Sequence, residues 1–238
     1  MKEGDLFTLQ KAYKPQNNPP RVLVVAASPR RDGNSWRLAE GFLEGALGAG
    51  HNAELIFLSD YMKDFLRDCR TCRDRDFRCT IKDDYRTLFL EKVLPADALV
   101  FSTPIWWYGI SGILKTFFDR MFCYVAFSEP NSNEYAERLQ WKRVALLLSA
   151  EESNFSARLA IVHQIQEMSR YLNHTFVGVI TGIGNRRGDV GVDPLHPVDE
   201  ARKLAGRLFD INATDYKLDT ERSASVWEEN KVFPGSWG

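Results

Sequence analysis

The chain is poor in cysteine and histidine, with four of each in 238 residues, and it carries no excess of charge, the formal net charge being −1. Near-neutrality gives no reason to expect nucleic acid or an anionic membrane surface as a partner. No stretch approaches the run of about 18 apolar residues that a membrane span needs. The opening "MKEGDLFTLQKAYK" lacks the apolar core of a signal peptide, so a cytoplasmic location is expected. In that setting Cys69, Cys72, Cys79 and Cys123 read as thiols or ligands rather than disulfides. Hydrophobic content of 44% and charged content of 26% are ordinary for a globular protein. The length suits one well-buried domain better than two.

What is present is a recurrence of apolar runs: "RVLVVAAS", "AELIFLSD", "ALVFSTP", "RVALLLSA" and "TFVGVITG". Such runs read as strands buried on both faces, which points to a parallel sheet. Helical periodicities lie between and after them: Ala39, Phe42, Leu43, Ala46 and Leu47; Ile113, Leu114, Phe117 and Met121; Leu159, Val162, Ile165 and Met168; Ala201, Leu204, Ala205 and Leu208. Asn34, Ser35, Ser111 and Asp199 are expected N-caps. The alternation predicts an open, doubly wound α/β sheet of five strands between helical layers. Residues 1–20 read as an extended arm, because Pro19 and Pro20 forbid helix, residues 21–213 as the domain, and residues 214–238 as an aromatic tail packed on the body or on a neighbouring subunit.

In such a sheet, ligands sit beyond the carboxyl ends of the strands, so the loops there hold the candidate site. "ASPRRDGNSWR" offers Ser28, Asn34 and Ser35 hydrogen bonds, Arg30 and Arg31 charge, and the start of a helix, the equipment of a phosphate site. It is neither a Walker loop, which needs a lysine before its Ser or Thr, nor a GxGxxG turn. The third run leads into Pro104, Ile105, Trp106, Trp107, Tyr108 and Gly109, a turn of large aromatic residues where small polar ones are usual. These rings are either core or one wall of a site for a flat ligand. A phosphate at the first loop and a planar ring on the second together describe flavin mononucleotide (FMN), with Gly109 letting the backbone come close.

The pairing of the S-P-R…N-S loop with the later T-P-x-W…S-G…K-x-F-x-D-R stretch resembles the NADPH-dependent FMN reductase family of the flavodoxin-like superfamily, and within it the iron–sulfur flavoprotein and multimeric-flavodoxin branch. The resemblance covers roughly residues 21–209. It implies strand order 2-1-3-4-5, bound FMN, NAD(P)H as cosubstrate, and a homodimer or homotetramer with interfaces near the flavin. By position it implies phosphate contacts at Ser28, Arg30, Asn34 and Ser35, ring contacts at Pro104, Ile105, Trp106, Trp107 and Gly109, and a third wall at Ser149, Ala150, Glu151 and Glu152. Hydride would pass from the nicotinamide through FMN to a quinone, a flavin or another small aromatic acceptor, without an acid or base residue. The competing class is an electron carrier without NAD(P)H activity of its own.

Three features depart from that pattern. Cys69, Cys72 and Cys79 form C-x2-C-x6-C, but a four-iron cluster needs four thiolates, and a zinc site would need a histidine that is not nearby. Cys123, within an apolar helix, reads as a core thiol, with Asp68, Asp74 or Asp76 the alternative fourth ligand; no bound metal is expected. "GISGI" places Ser111 almost in a nucleophile elbow, with the second glycine out of register. "TGIGNRRGDVG" resembles a dinucleotide fingerprint but is followed by "VDPLHP" instead of a helix; its Arg186 and Arg187 are candidates for the extra phosphate of NADPH, with solvated charge as the alternative.

Overall fold

The continuous apolar runs become five parallel strands: β1 (Arg21–Ala26), β2 (Asn52–Phe57), β3 (Ala98–Pro104), β4 (Arg143–Ala150) and β5 (Thr175–Ile183), in the order β2-β1-β3-β4-β5. The computed structural model describes residues 15–68, 72–125 and 130–211. Val24 of β1 pairs with Leu55 on one side and Val100 on the other, so this strand has no free edge, and both its faces are buried. The chain order reverses beside β1, and the crevice at that reversal opens between the loops that leave β1 and β3.

Successive side chains of a strand point to opposite faces, and the core divides accordingly. Leu23, Val25, Leu99, Phe101, Leu146 and Leu148 face one layer, while Val22, Val24, Val100, Ala145 and Leu147 face the other. The connecting elements are α1 (Asn34–Gly48), α2 (Leu58–Tyr61), α3 (Tyr85–Thr87) running into a π-helical stretch at Leu88–Val93, α4 (Gly112–Val125), α5 (Ser132–Leu139), α6 (Ser156–Tyr171) and α7 (Pro197–Gly206). Helices α1 and α7 cover the second face and cross closely. A Cβ at Gly45 would lie 2.2 Å from the Arg202 carbonyl oxygen, so only glycine permits that crossing.

Several sequence expectations shift by a residue or a role. The run "AELIFLSD" does not remain strand, because Leu58 to Tyr61 turn into α2. In α6 the buried stripe is Ala157, Ile161, Ile165 and Ser169, leaving Leu159 exposed, and in α1 Leu47 is exposed. The buried faces are still built on large apolar residues, Ile161 and Ile165 in α6 and Leu38 and Phe42 in α1, with Ala157, Ser169, Ala39 and Ala46 beside them. Gly33 and His196 hold the N-cap positions of α1 and α7, which places Asn34 and Ser35 inside the first turn of α1 and Asp199 inside that of α7.

The end of the N-terminal arm is tied down by Asp97, a buried carboxylate at the foot of β3. It accepts the backbone N–H of Gln16 at 2.6 Å and of Arg21 at 2.8 Å, and the Asn17 amide at 2.8 Å. The Lys142 ammonium, buried one residue before β4, donates to the Leu94 and Ala96 carbonyls at 2.9 and 2.5 Å. Residues 1–14 and the expected C-terminal tail lie outside the described residues.

Candidate functional site

Three hydroxyls at the carboxyl edge of the sheet stitch the site loops to one another. Ser102 Oγ donates to the Ser35 carbonyl at 2.6 Å, Ser111 Oγ donates to the Ala27 carbonyl at 2.7 Å, and Thr103 Oγ1 accepts the Ser111 N–H at 3.0 Å. All three residues are fully buried, so these bonds are formed in a low-dielectric setting where an unpaired hydroxyl would be costly. They join the β1 loop, the start of α1 and the start of α4 into one rigid rim. The Ser111 hydroxyl is thus committed to a carbonyl, not free as a nucleophile, and α4 is capped by the Ser111 carbonyl, which accepts the N–H groups of Leu114 and Lys115.

On that rim the β1 loop presents unsatisfied donors. Helix α1 starts at Asn34 behind an extended Gly33, with no side-chain cap and no acidic residue in its first turn. The first N–H groups of a helix have no partner within it, so this end is left donor-rich and positive. Ser28 is buried and its Oγ accepts the Arg30 N–H at 3.2 Å, which fixes the hydroxyl at the loop's inner wall. Ser35 is buried beneath it, its Oγ 2.8 Å from Ser149 Oγ. The two arginines separate: Arg31 pairs with Asp60 and lies 4.3 Å over the Phe57 ring, while the exposed Arg30 guanidinium has no ion pair among the described residues.

Asn34 has a different task from the one its position implied. Its amide donates to the Gly184 and Arg186 carbonyls, both at 3.0 Å, and its Oδ1 accepts the Val190 N–H at 3.3 Å. The side chain is therefore saturated, and it pins the β5 loop above the start of α1. Gly184 is needed for this approach, since a Cβ there would lie 2.8 Å from Asn34 Nδ2. In the same loop Arg187 pairs with Asp32 at 2.9 Å on the exposed surface, and the Arg186 N–H donates to Asp189 at 2.6 Å. A short 3-10 turn at Asp189–Gly191 follows, not the helix a dinucleotide fingerprint requires.

The aromatic turn is a miniature hairpin. Trp106 and Gly109 exchange both backbone hydrogen bonds at 3.0 Å, and the two residues between them are left-handed, Trp107 at φ 49° and Tyr108 at φ 59°. Tight two-residue turns of this hand normally use Asn-Gly, because a side chain in the left-handed region costs about 1–2 kcal/mol per residue. These residues do not offset that strain by burial: Trp107 is 96% exposed, Tyr108 58% and Trp106 45%. The three rings are therefore not core residues, while Ile105 packs against the core. Ile105 anchors the hairpin through its N–H to the Ser149 carbonyl at 2.9 Å. Facing it across an open groove of about 730 Å³ are Ala150, Glu151 and Glu152. Ser149 and Ala150 are the last two residues of strand β4, and the loop proper begins at Glu151.

The cysteine segment stands apart from this crevice. Residues 72–80 form a small hairpin, with the Thr80 N–H bonded to the Cys72 carbonyl at 2.8 Å and Arg73 bridged to Cys79. Asp74 Oδ1 closes its turn by accepting the N–H groups of Asp76 and Arg78, each at 2.9 Å, so that carboxylate is a turn cap. Among the described residues no three His, Cys, Asp or Glu side chains converge as a metal site; Cys69 lies outside them.

A phosphate cradle and an aromatic shelf joined by one rim are what a flavin mononucleotide requires, and the sequence model of the NADPH-dependent FMN reductases matches residues 20–186. The chain belongs to that family. A Bacillus subtilis protein named NAD(P)H-dependent FMN-containing oxidoreductase YwqN is 28% identical over 189 residues, covering 79% of this chain and 96% of that one. An iron–sulfur flavoprotein of Methanocaldococcus jannaschii is 30% identical over 201 residues, covering 80% and 96%. Among solved structures, the Trp repressor binding protein of Bacillus subtilis superposes with a TM-score of 0.58 at 26% identity, covering 79% of this chain and 96% of its own. As a member of this family the chain is an NAD(P)H-dependent oxidoreductase that uses FMN. Among the described residues no helix is long and apolar enough to cross a membrane.

The donor set fits the cofactor. An uncapped helix end without a carboxylate, two buried serines and an unpaired arginine match a dianionic phosphate, and an exposed aromatic hairpin matches a flat ring system. The hydroxyls of Ser102 and Thr103, which hold these parts in register, escape sequence reasoning. Their one signal is two hydroxyl residues ending a buried apolar strand.

Proposed function

We propose that the enzyme reduces small planar aromatic acceptors, such as quinones, free flavins and azo or nitroaromatic compounds, at the Trp106–Trp107–Tyr108 shelf. Bound FMN would take hydride from NAD(P)H and deliver it to the acceptor. The protein's own part is to bind and orient. Ser28, Ser35, Arg30 and the backbone donors of Asn34 and Ser35 would hold the phosphate, with Ser149 fixing Ser35. Pro104 to Gly109 would lie along one side of the ring, with Ser149 to Glu152 as the opposite wall. No side chain need move a proton for hydride transfer.

The observation that carries this reading is the pair of exposed left-handed aromatics. A fold keeps such strain where it shapes a site, and here Trp107 gains almost nothing from the protein itself while Tyr108 leaves more than half of its surface exposed. A groove wide enough for a second flat molecule lies beside them. Arg186, unlike Arg187, is in no ion pair among the described residues, which favours it as the partner of the extra phosphate of NADPH. The exposed Phe155 near the groove is consistent with a second subunit there, in a cytoplasmic homodimer or homotetramer.

The test uses FMN-loaded protein reduced anaerobically with NADPH and mixed with a naphthoquinone. Rapid reoxidation and parallel lines in double-reciprocal plots are expected, since donor and acceptor would use one face in turn. Flavin that stays reduced with every small acceptor and reoxidises only with a protein partner would replace this reading by the electron-carrier one.

A further inference from the structure

We infer that Cys79 and Cys123 are an oxidisable thiol pair, which hydrogen peroxide closes into a disulfide between the 72–80 hairpin and the C-terminal end of α4. The two lie 44 positions apart in sequence, and the fold brings them together through specific contacts. Arg73, the cross-strand partner of Cys79, reaches over to α4 and donates to the Cys123 carbonyl at 2.9 Å. The Cys79 side chain packs against the apolar core that contains Cys123, close enough for the Cys123 thiol to act on the Cys79 sulfur. Cys79 is half-buried and reachable, whereas Cys123 is 2% exposed behind it. That is the order of an attacking and a resolving cysteine.

The surroundings favour a thiolate at Cys79. Arg120 lies one helical turn before Cys123 and acts on the Cys79 sulfur with its positive charge. Its guanidinium is held by Asp83 through two bonds of 2.5 and 2.7 Å, with both side chains buried, and its Nε is buried with no hydrogen-bond partner among the described residues. Tyr85 and Tyr124 are the other titratable groups facing the pair; burial raises both above the ordinary tyrosine range, so they remain neutral phenols. The Cys123 thiol, then the Ile81 backbone and the Arg120 charge, bring the Cys79 thiol down to about 6 against the opposing effect of burial. Ordinary buried thiols are inert; a partly exposed one beside a fixed cation is the reactive kind.

The chemistry balances as two steps. The Cys79 thiolate attacks one oxygen of hydrogen peroxide, the O–O bond breaks, and sulfenic acid and hydroxide form. The Cys123 sulfur then attacks the Cys79 sulfur, the S–O bond breaks, and water leaves with the Cys123 proton. Two thiols lose two electrons and one peroxide gains them. A dithiol reductant reverses the change by exchange.

The experiment treats the full-length, FMN-loaded protein with one equivalent of hydrogen peroxide, blocks the remaining thiols with iodoacetamide, and maps the peptides without reduction. A Cys79–Cys123 cross-linked peptide lighter by two hydrogens is expected, lost after dithiothreitol, with Cys72 still alkylated. In Cys123→Ser the oxidation should stop at Cys79 sulfenic acid, trapped by dimedone; bound-flavin absorbance checks that this variant folds. A cross-link from Cys79 to Cys69 or Cys72, over-oxidation of Cys79 with Cys123 untouched in the unmutated protein, or iron and sulfide bound at these thiols would each overturn the inference.

Discussion

Replacing Trp107→Asn together with Tyr108→Gly should make the protein more stable and less active. Both positions are left-handed, and each side chain there costs about 1–2 kcal/mol relative to a residue suited to the turn. Asn-Gly is the sequence this turn geometry prefers, so relief of about 2–3 kcal/mol is available. Little opposes it, because Trp107 is almost wholly exposed and Tyr108 more than half, leaving only a small loss of buried apolar surface. For a domain of this size each kcal/mol moves the melting temperature by about 2–4 °C, which puts the expected rise at about 4–12 °C in flavin-free protein. Thermal unfolding followed by far-UV circular dichroism reads that shift, and steady-state reduction of a naphthoquinone reads the function, with kcat/KM expected to fall at least about tenfold through the loss of aromatic stacking. A variant that melts lower than the parent would refute strain in the hairpin; one that melts higher yet keeps full kcat/KM would refute the shelf.

Ser35→Ala removes a hydroxyl bonded to Ser149 beneath the phosphate cradle and should weaken FMN binding about tenfold, roughly the net value of one hydrogen bond to a charged group, as measured by flavin fluorescence quenching. Arg30→Ala should weaken it by a comparable factor and flatten the dependence of affinity on salt, because an exposed charge acts through screened attraction. Gly45→Ala should destabilise the fold by about 1–3 kcal/mol in urea despite alanine's better helix propensity, since the new methyl group meets a backbone oxygen that cannot move alone. The alkylation rate of Cys79 should rise with pH around a midpoint near 6, far below the ordinary thiol value of 9.0. The folded pKa is the lower one, so the stability this group lends is complete above the unfolded thiol's range and is lost as the pH falls through about 6. Urea unfolding at pH 8 and pH 5 in parent and Cys79→Ser proteins checks that sign.

The sheet was legible because its strands carry an unbroken apolar signature. "ALVFSTP" and "RVALLLSA" become β3 and β4 with the same ends, as buried parallel strands tolerate no polar face. The elements left unread are short or irregular, such as α2 and the π-helical stretch at Leu88–Val93, where no clean period of 3.6 is available to see. The site was legible as a set of loops but not as a set of bonds. Asn34 looks like a phosphate ligand until Gly184 and Val190, about 150 positions away, are brought to its amide. Trp107 and Tyr108 give no sign of a left-handed turn, because the residues that usually announce one are absent. Cys123 reads as an ordinary core thiol within its helix, and only the docking of the Arg73 hairpin reveals Cys79 beside it. Local pattern encodes the layers, while contacts across long stretches of chain decide the chemistry of individual side chains.

The most direct test of the account is a titration of flavin-stripped protein with FMN and, separately, with riboflavin, which lacks the phosphate. One FMN per chain at micromolar concentration is predicted, with riboflavin at least about a hundredfold weaker because the donors of Ser28, Arg30 and the α1 terminus are left unmatched. Equal affinity for the two flavins, or no uptake of FMN at all, would contradict it.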